Sequence, residues 1–72
     1  MEKIIEFLKL NGYKETDSDT FEKDGVSQID ISQKEIILSD EGETWLHLPV
    51  NLYALIGALI HHRQLACNYK HL

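Results

Sequence analysis

A chain of 72 residues with 43% apolar side chains, 12 acidic against 7 basic residues and a net charge of −5 is one small globular domain, not a disordered segment. Its single cysteine, Cys67, rules out a disulfide framework and fits a reducing compartment. The acids at Glu2 and Glu6 stand where a secretory signal would carry basic and then apolar residues, so a cytoplasmic location is expected.

Residues 2–10 predict a short helix, with Ile4, Ile5, Phe7 and Leu8 on one stripe and Glu2, Lys3, Glu6 and Lys9 opposite. Asn11-Gly12 supplies its stop, because glycine tolerates the left-handed conformation found after helix ends. Residues 15–19 are polar without an apolar period and predict a loop.

Residues 20–48 predict a four-stranded antiparallel meander. A three-residue loop over Lys23-Asp24-Gly25, pairing Glu22 with Val26, places Phe21 on the same face as Ile29 and Ile31. Gln33-Lys34 as a two-residue connection pairs Ile31 with Ile36 and Ile29 with Leu38. Glu41 is a poor residue for positive φ, so a three-residue loop closing on Gly42 is expected, which sets Ile37 opposite Trp45. Together these choices build one apolar face from Phe21, Ile29, Ile31, Ile36, Leu38 and Leu46. The other face carries Glu22, Val26, Gln28, Asp30, Glu35, Ile37, Trp45 and His47. Ile37, Trp45 and His47, rimmed by Asp30 and Glu35, form a candidate partner-binding patch, since a large aromatic among charges is how interface anchors commonly look.

After Pro49 a second helix is expected over residues 50–67, with Leu52, Leu55, Ile56, Leu59 and Ile60 as its core stripe. Its remaining sides are apolar too: Asn51 is the only polar side chain between Val50 and Ile60. This run is far shorter than the roughly 18–20 residues a membrane span needs. A helix that is apolar all round is buried on more than one side. Either the N-terminal helix packs beside it or a second subunit does; on the second reading Tyr53, Ala54, Gly57 and Ala58 are the expected interface of a homodimer. Residues 68–72 are expected to form a tail that frays. The overall expectation is an α+β domain spanning 1–72, in the order αββββα, with both helices on one face of the sheet.

The patterns of an enzyme are missing: there is no glycine-rich phosphate loop, no Gly-x-Ser-x-Gly elbow and no His-Glu-x-x-His. No catalytic residue and no cofactor is expected. Cys67 and His71 share i, i+4 spacing, but one such pair falls short of the three or four ligands a zinc site needs. All 12 acids lie within residues 2–43 beside five lysines, leaving that part at −7, while residues 44–72 contain only Arg63, Lys70 and the four histidines. Without a basic patch, direct nucleic-acid binding is not expected. The acidic front instead suggests an alternative: a decoy or inhibitor of a nucleic-acid-binding enzyme, acting through Glu15, Asp17, Asp19, Glu22 and Asp24.

Asn11-Gly12-Tyr13, the run from Phe21 to Gly25, the run from Asn51 to Leu59 and Asn68-Tyr69-Lys70 occur here in an order that resembles small uncharacterised proteins of bacterial phages and mobile elements. That group has no established activity, so the resemblance implies a small intracellular accessory protein and assigns no functional residue.

Overall fold

The i, i+3, i+4 spacing of Ile4, Phe7 and Leu8 buries one stripe of α1 (Glu2–Leu10), in a computed structural model that describes residues 2–23, 27–62, 64–65 and 68–71, with the side chains of Ser27 and Trp45 left outside. The helix stops as its sequence dictates. Gly12, at φ +92°, donates its N–H to the Lys9 carbonyl (3.3 Å), and the next residue, Tyr13, donates to the Leu8 carbonyl (2.9 Å). This is the Schellman pattern, and burial of Tyr13 and Leu8 in one core cluster completes it.

Five antiparallel strands follow in sequential order: β1 (Lys14–Asp17), β2 (Thr20–Lys23), β3 (Ser27–Ile31), β4 (Ile36–Asp40) and β5 (Glu43–Leu48). The fold class is the expected α+β, with one strand more than the four anticipated. The added strand covers most of what was expected to be a loop. Lys14–Asp17 is exposed at every position, so it has no apolar alternation to betray it, and it is held by pairing to β2. Its turn to β2 places Asp19 at φ +58°, and the Asp19 carbonyl accepts from the Ile31 N–H at 2.9 Å, tying the turn to β3.

The expected inner face forms. Phe21, Ile29, Ile31, Ile36 and Leu38 are each at most 4% exposed, and Leu46 packs half-buried against them. Register differs in two places. Glu22 pairs with Gln28 and Phe21 with Ile29, two residues from the expected alignment, which preserves the face of every side chain. The expected partner Val26 lies, with Asp24 and Gly25, outside the described residues.

The turn between β4 and β5 is the second correction. Asp40 pairs with Glu43 across a two-residue turn, with Glu41 at φ +51° and Gly42 at φ +84°. Positive φ at both central residues is the type I′ geometry that suits the twist of a hairpin. That turn alone would rotate Leu46 off the inner face. A bulge restores it: Ser39 pairs with Thr44 and Leu38 with Leu46, so Trp45 is the extra residue. Ile37 consequently faces His47, not Trp45. The middle connection has the expected Ile31–Ile36 pairing. Its stabilising group is the Ser32 hydroxyl, which accepts from the N–H groups of Lys34 (3.2 Å) and Glu35 (3.1 Å).

The second helix, α2, spans Leu52–His61 rather than 50–67. Asn51 is its N-cap, with Oδ1 accepting from the Ala54 N–H at 3.0 Å, and the chain turns out of the helix at His62. The Gln64 and Leu65 N–H groups then both donate to the Leu59 carbonyl (2.8 and 3.2 Å), which returns Leu65 to the core. Leu55, Ile56 and Leu59 join Ile4, Phe7 and Leu8 over the inner face in one apolar cluster.

The described part of the tail is docked, not frayed. Asn11 Nδ2 donates to the carbonyls of Phe7 (2.9 Å) and Lys70 (2.8 Å), while its Oδ1 accepts from the Lys70 N–H at 2.9 Å. The Tyr69 ring meets Phe7 edge-on at 5.7 Å. One amide side chain therefore caps the first helix and clamps the far end of the chain.

Two stability tests follow from these contacts. Asparagine enters the left-handed region more readily than glutamate, which incurs about 1–2 kcal/mol there. Glu41→Asn therefore raises the urea midpoint, by up to about 1 kcal/mol of stability at unchanged m-value. Asn11→Ala removes both bonds to Lys70 and accelerates hydrogen exchange at the Lys70 amide at least tenfold, measured by NMR at fixed pH.

Candidate functional site

Two surfaces carry the expected site residues. The first is the outer face of the sheet, where alternation sends Thr20, Gln28, Asp30, Ile37, Ser39, Thr44 and His47 away from the helices. Ile37 and His47 are adjacent there as expected, though directly paired; Ile37 is half-buried and His47 exposed. The third member of the expected patch, the Trp45 side chain, lies outside the described residues. The rim is organised by hydrogen bonds. His47 Nδ1 lies 2.9 Å from Glu35 Oε1, Thr20 Oγ1 donates to Asp30 Oδ1 at 2.8 Å, and Gln28 Nε2 donates to Asp30 Oδ2 at 3.0 Å. Ser39 and Thr44 bring their hydroxyls within 3.4 Å of each other across the strand pair.

These bonds engage the face internally. Asp30 has both oxygens occupied by neighbours on its own sheet, and Glu35 is bound by His47. The hydroxyls of Thr20, Ser39 and Thr44 were not singled out from sequence. Alternation with Phe21 and Leu38 places Thr20 and Ser39, and the two-residue turn over Glu41-Gly42 sets Thr44 opposite Ser39.

The second surface is the exposed side of α2. Tyr53 is 72% exposed, Gly57 is exposed, and Ala54 and Ala58 are half-buried. A Cβ built on Gly57 meets no atom within 4 Å, so open space lies above that position. The single chain covers more of α2 than its composition suggested: Leu55, Ile56 and Leu59 are buried, while Leu52, Ala58 and Ile60 pack on the core. What remains open is a narrow strip, Tyr53 and Gly57, flanked by the half-buried Ala54 and Ala58.

Among the described residues no three His, Cys, Asp or Glu side chains converge as a metal site would require. Cys67, half of the spaced pair with His71, lies outside the described residues. No helix among them is long and apolar enough to cross a membrane. The chain matches no protein-family model, no curated protein and no solved structure.

The Thr20–Asp30 bond gives the outer face a direct test. Thr20→Val keeps the side-chain shape and removes the donor, and lowers stability by about 1 kcal/mol, read from the urea midpoint. An unchanged midpoint shows that this bond contributes nothing to holding the face.

Proposed function

We propose that the protein is a non-enzymatic interaction module, a small intracellular accessory protein that pairs with a second copy of itself through α2. The observation carrying this reading is Tyr53, a large aromatic left 72% exposed one helical turn from the open space over Gly57. In a two-fold pairing each contact occurs twice, so Tyr53 of each copy lies over Gly57 of the other. The i, i+4 rows 53–57 and 54–58 provide ridges that interdigitate in ordinary helix packing, and small residues at 54, 57 and 58 let the backbones approach.

The two sheet edges, as far as the described residues go, are poor routes to self-association. Edge strand β1 is short, charged and fully exposed, while the opposite edge, β5, is interrupted by the Trp45 bulge and followed by Pro49. Both are devices that discourage strand addition.

Gly57→Glu tests the pairing cleanly. In the single chain its side chain enters open space and its helix propensity improves by roughly 0.5–1 kcal/mol over glycine, so the fold survives. Sedimentation should show the unsubstituted protein associating with concentration and the variant remaining at single-chain mass. Ala58→Glu should act in the same direction. A monomer at all concentrations for the unsubstituted protein refutes the reading.

The alternative, an acidic decoy for a nucleic-acid-binding enzyme, rests on Glu15, Asp17 and Asp19, exposed at the β1–β2 hairpin, with the half-buried Glu22, while Asp24 lies outside the described residues. Their carboxylates are partly committed: Glu15 lies 4.0 Å from Lys9 Nζ and accepts from the Asp19 N–H at 3.3 Å, and Asp17 accepts from the Ser18 N–H at 2.8 Å. That local engagement favours the self-pairing reading. Binding to a basic partner that weakens steeply with salt would favour the decoy.

A further inference from the structure

We infer that the open cleft between the end of α1, β2 and the docked tail binds a small amphipathic anion, a carboxylate or phosphate carried on an apolar ring. The cleft measures about 400 Å³, within the range of small-molecule sites. Its apolar wall comes from Leu10, Leu65 and Tyr69, and Lys23 and Lys70 supply its charge. Leu10 is 42% exposed and, with Tyr53, is one of two large apolar side chains left in water among the described residues.

Among the described residues only Lys9 of the six lysines forms an ion pair, and of the other five Lys23 and Lys70 line this one cleft. An anion held in the cleft is attracted by both charges. Their supports are fixed before any ligand arrives. Lys23 Nζ sits 5.2 Å from the centroid of the buried Tyr13 ring, and its stem passes the backbone of Gly12, where an added Cβ would lie 3.7 Å from Cε. The Lys70 backbone is held at both its N–H and carbonyl by Asn11. Such preorganisation reduces the ordering cost of binding. The apolar wall selects for a ring beside the charge, so a bare anion uses only half of the site.

The test is an NMR titration of the amide signals with phenyl phosphate, benzoate and inorganic phosphate. Phenyl phosphate should give saturable millimolar shifts centred on Gly12, Lys23, Asn68, Tyr69 and Lys70. Benzoate should shift the same signals if the carboxylate is equally accepted, whereas inorganic phosphate should bind at least tenfold more weakly. Lys23→Gln with Lys70→Gln should weaken phenyl phosphate at least tenfold while the thermal midpoint stays within a few degrees. The paired Arg substitutions, which keep the charge, should retain binding. Absence of saturable shifts with both ring-bearing anions, equal affinity for inorganic phosphate, or indifference to the Gln substitutions overturns the proposal.

Discussion

Phe21, Ile29, Ile31, Ile36 and Leu38 project from three adjacent strands to the same side of the sheet, and both helices are held by that surface. The constraint is one of parity. Side chains alternate along a strand, so a slip of one residue would send all the apolar groups of that strand into water and bring polar groups under the helices. A slip of two residues changes partners without changing faces. The β2–β3 ladder has such an offset from the alignment anticipated from turn chemistry, and its inner face is unaffected.

The same constraint explains the β4–β5 hairpin, where two local preferences conflict. The Glu41-Gly42 turn holds a glutamate in the left-handed region and by itself would set Leu46 on the wrong side. One inserted residue, Trp45, restores the parity. The burial of Leu38 and Leu46 against the helices outweighs both the left-handed glutamate and the break in the ladder. A bulge also increases local twist, which is useful on a strand that forms the sheet's outer edge.

Legibility in the sequence follows from how local the determining interaction is. The inner face, α1 and its Gly12 stop depend on residues within a few positions of one another and were readable. Strand β1 was not, because Lys14 to Asp17 has no buried side and exists as a strand only through pairing. The end of α2 was misplaced because the stop contains no glycine within the described residues and depends on where the chain turns back to bury Leu65. The docked tail depends on Asn11 and Lys70, 59 positions apart, a relation that no local pattern encodes. For the candidate surfaces, the openness of Tyr53 and Gly57 was readable from composition around the helix. The Ile37–His47 pairing emerged only with the bulge.

The extent to which the single chain buries α2 bears on the kind of association proposed. Had Ile56 and Ile60 been exposed, a dimer would be needed for the fold itself, and monomer and unfolded chain would be hard to separate. Instead Ile56 is buried and Ile60 packs on the core, so the fold does not depend on the proposed pairing to cover them. The open strip is narrow, and below the usual interface size the strength of association depends on fit more than on area. In the proposed pairing, backbone approach at Gly57 and the placement of two Tyr53 rings would dominate the interaction. A pairing of that kind would be reversible and concentration-dependent, a property suited to an accessory module that changes partners and unsuited to a permanent structural subunit.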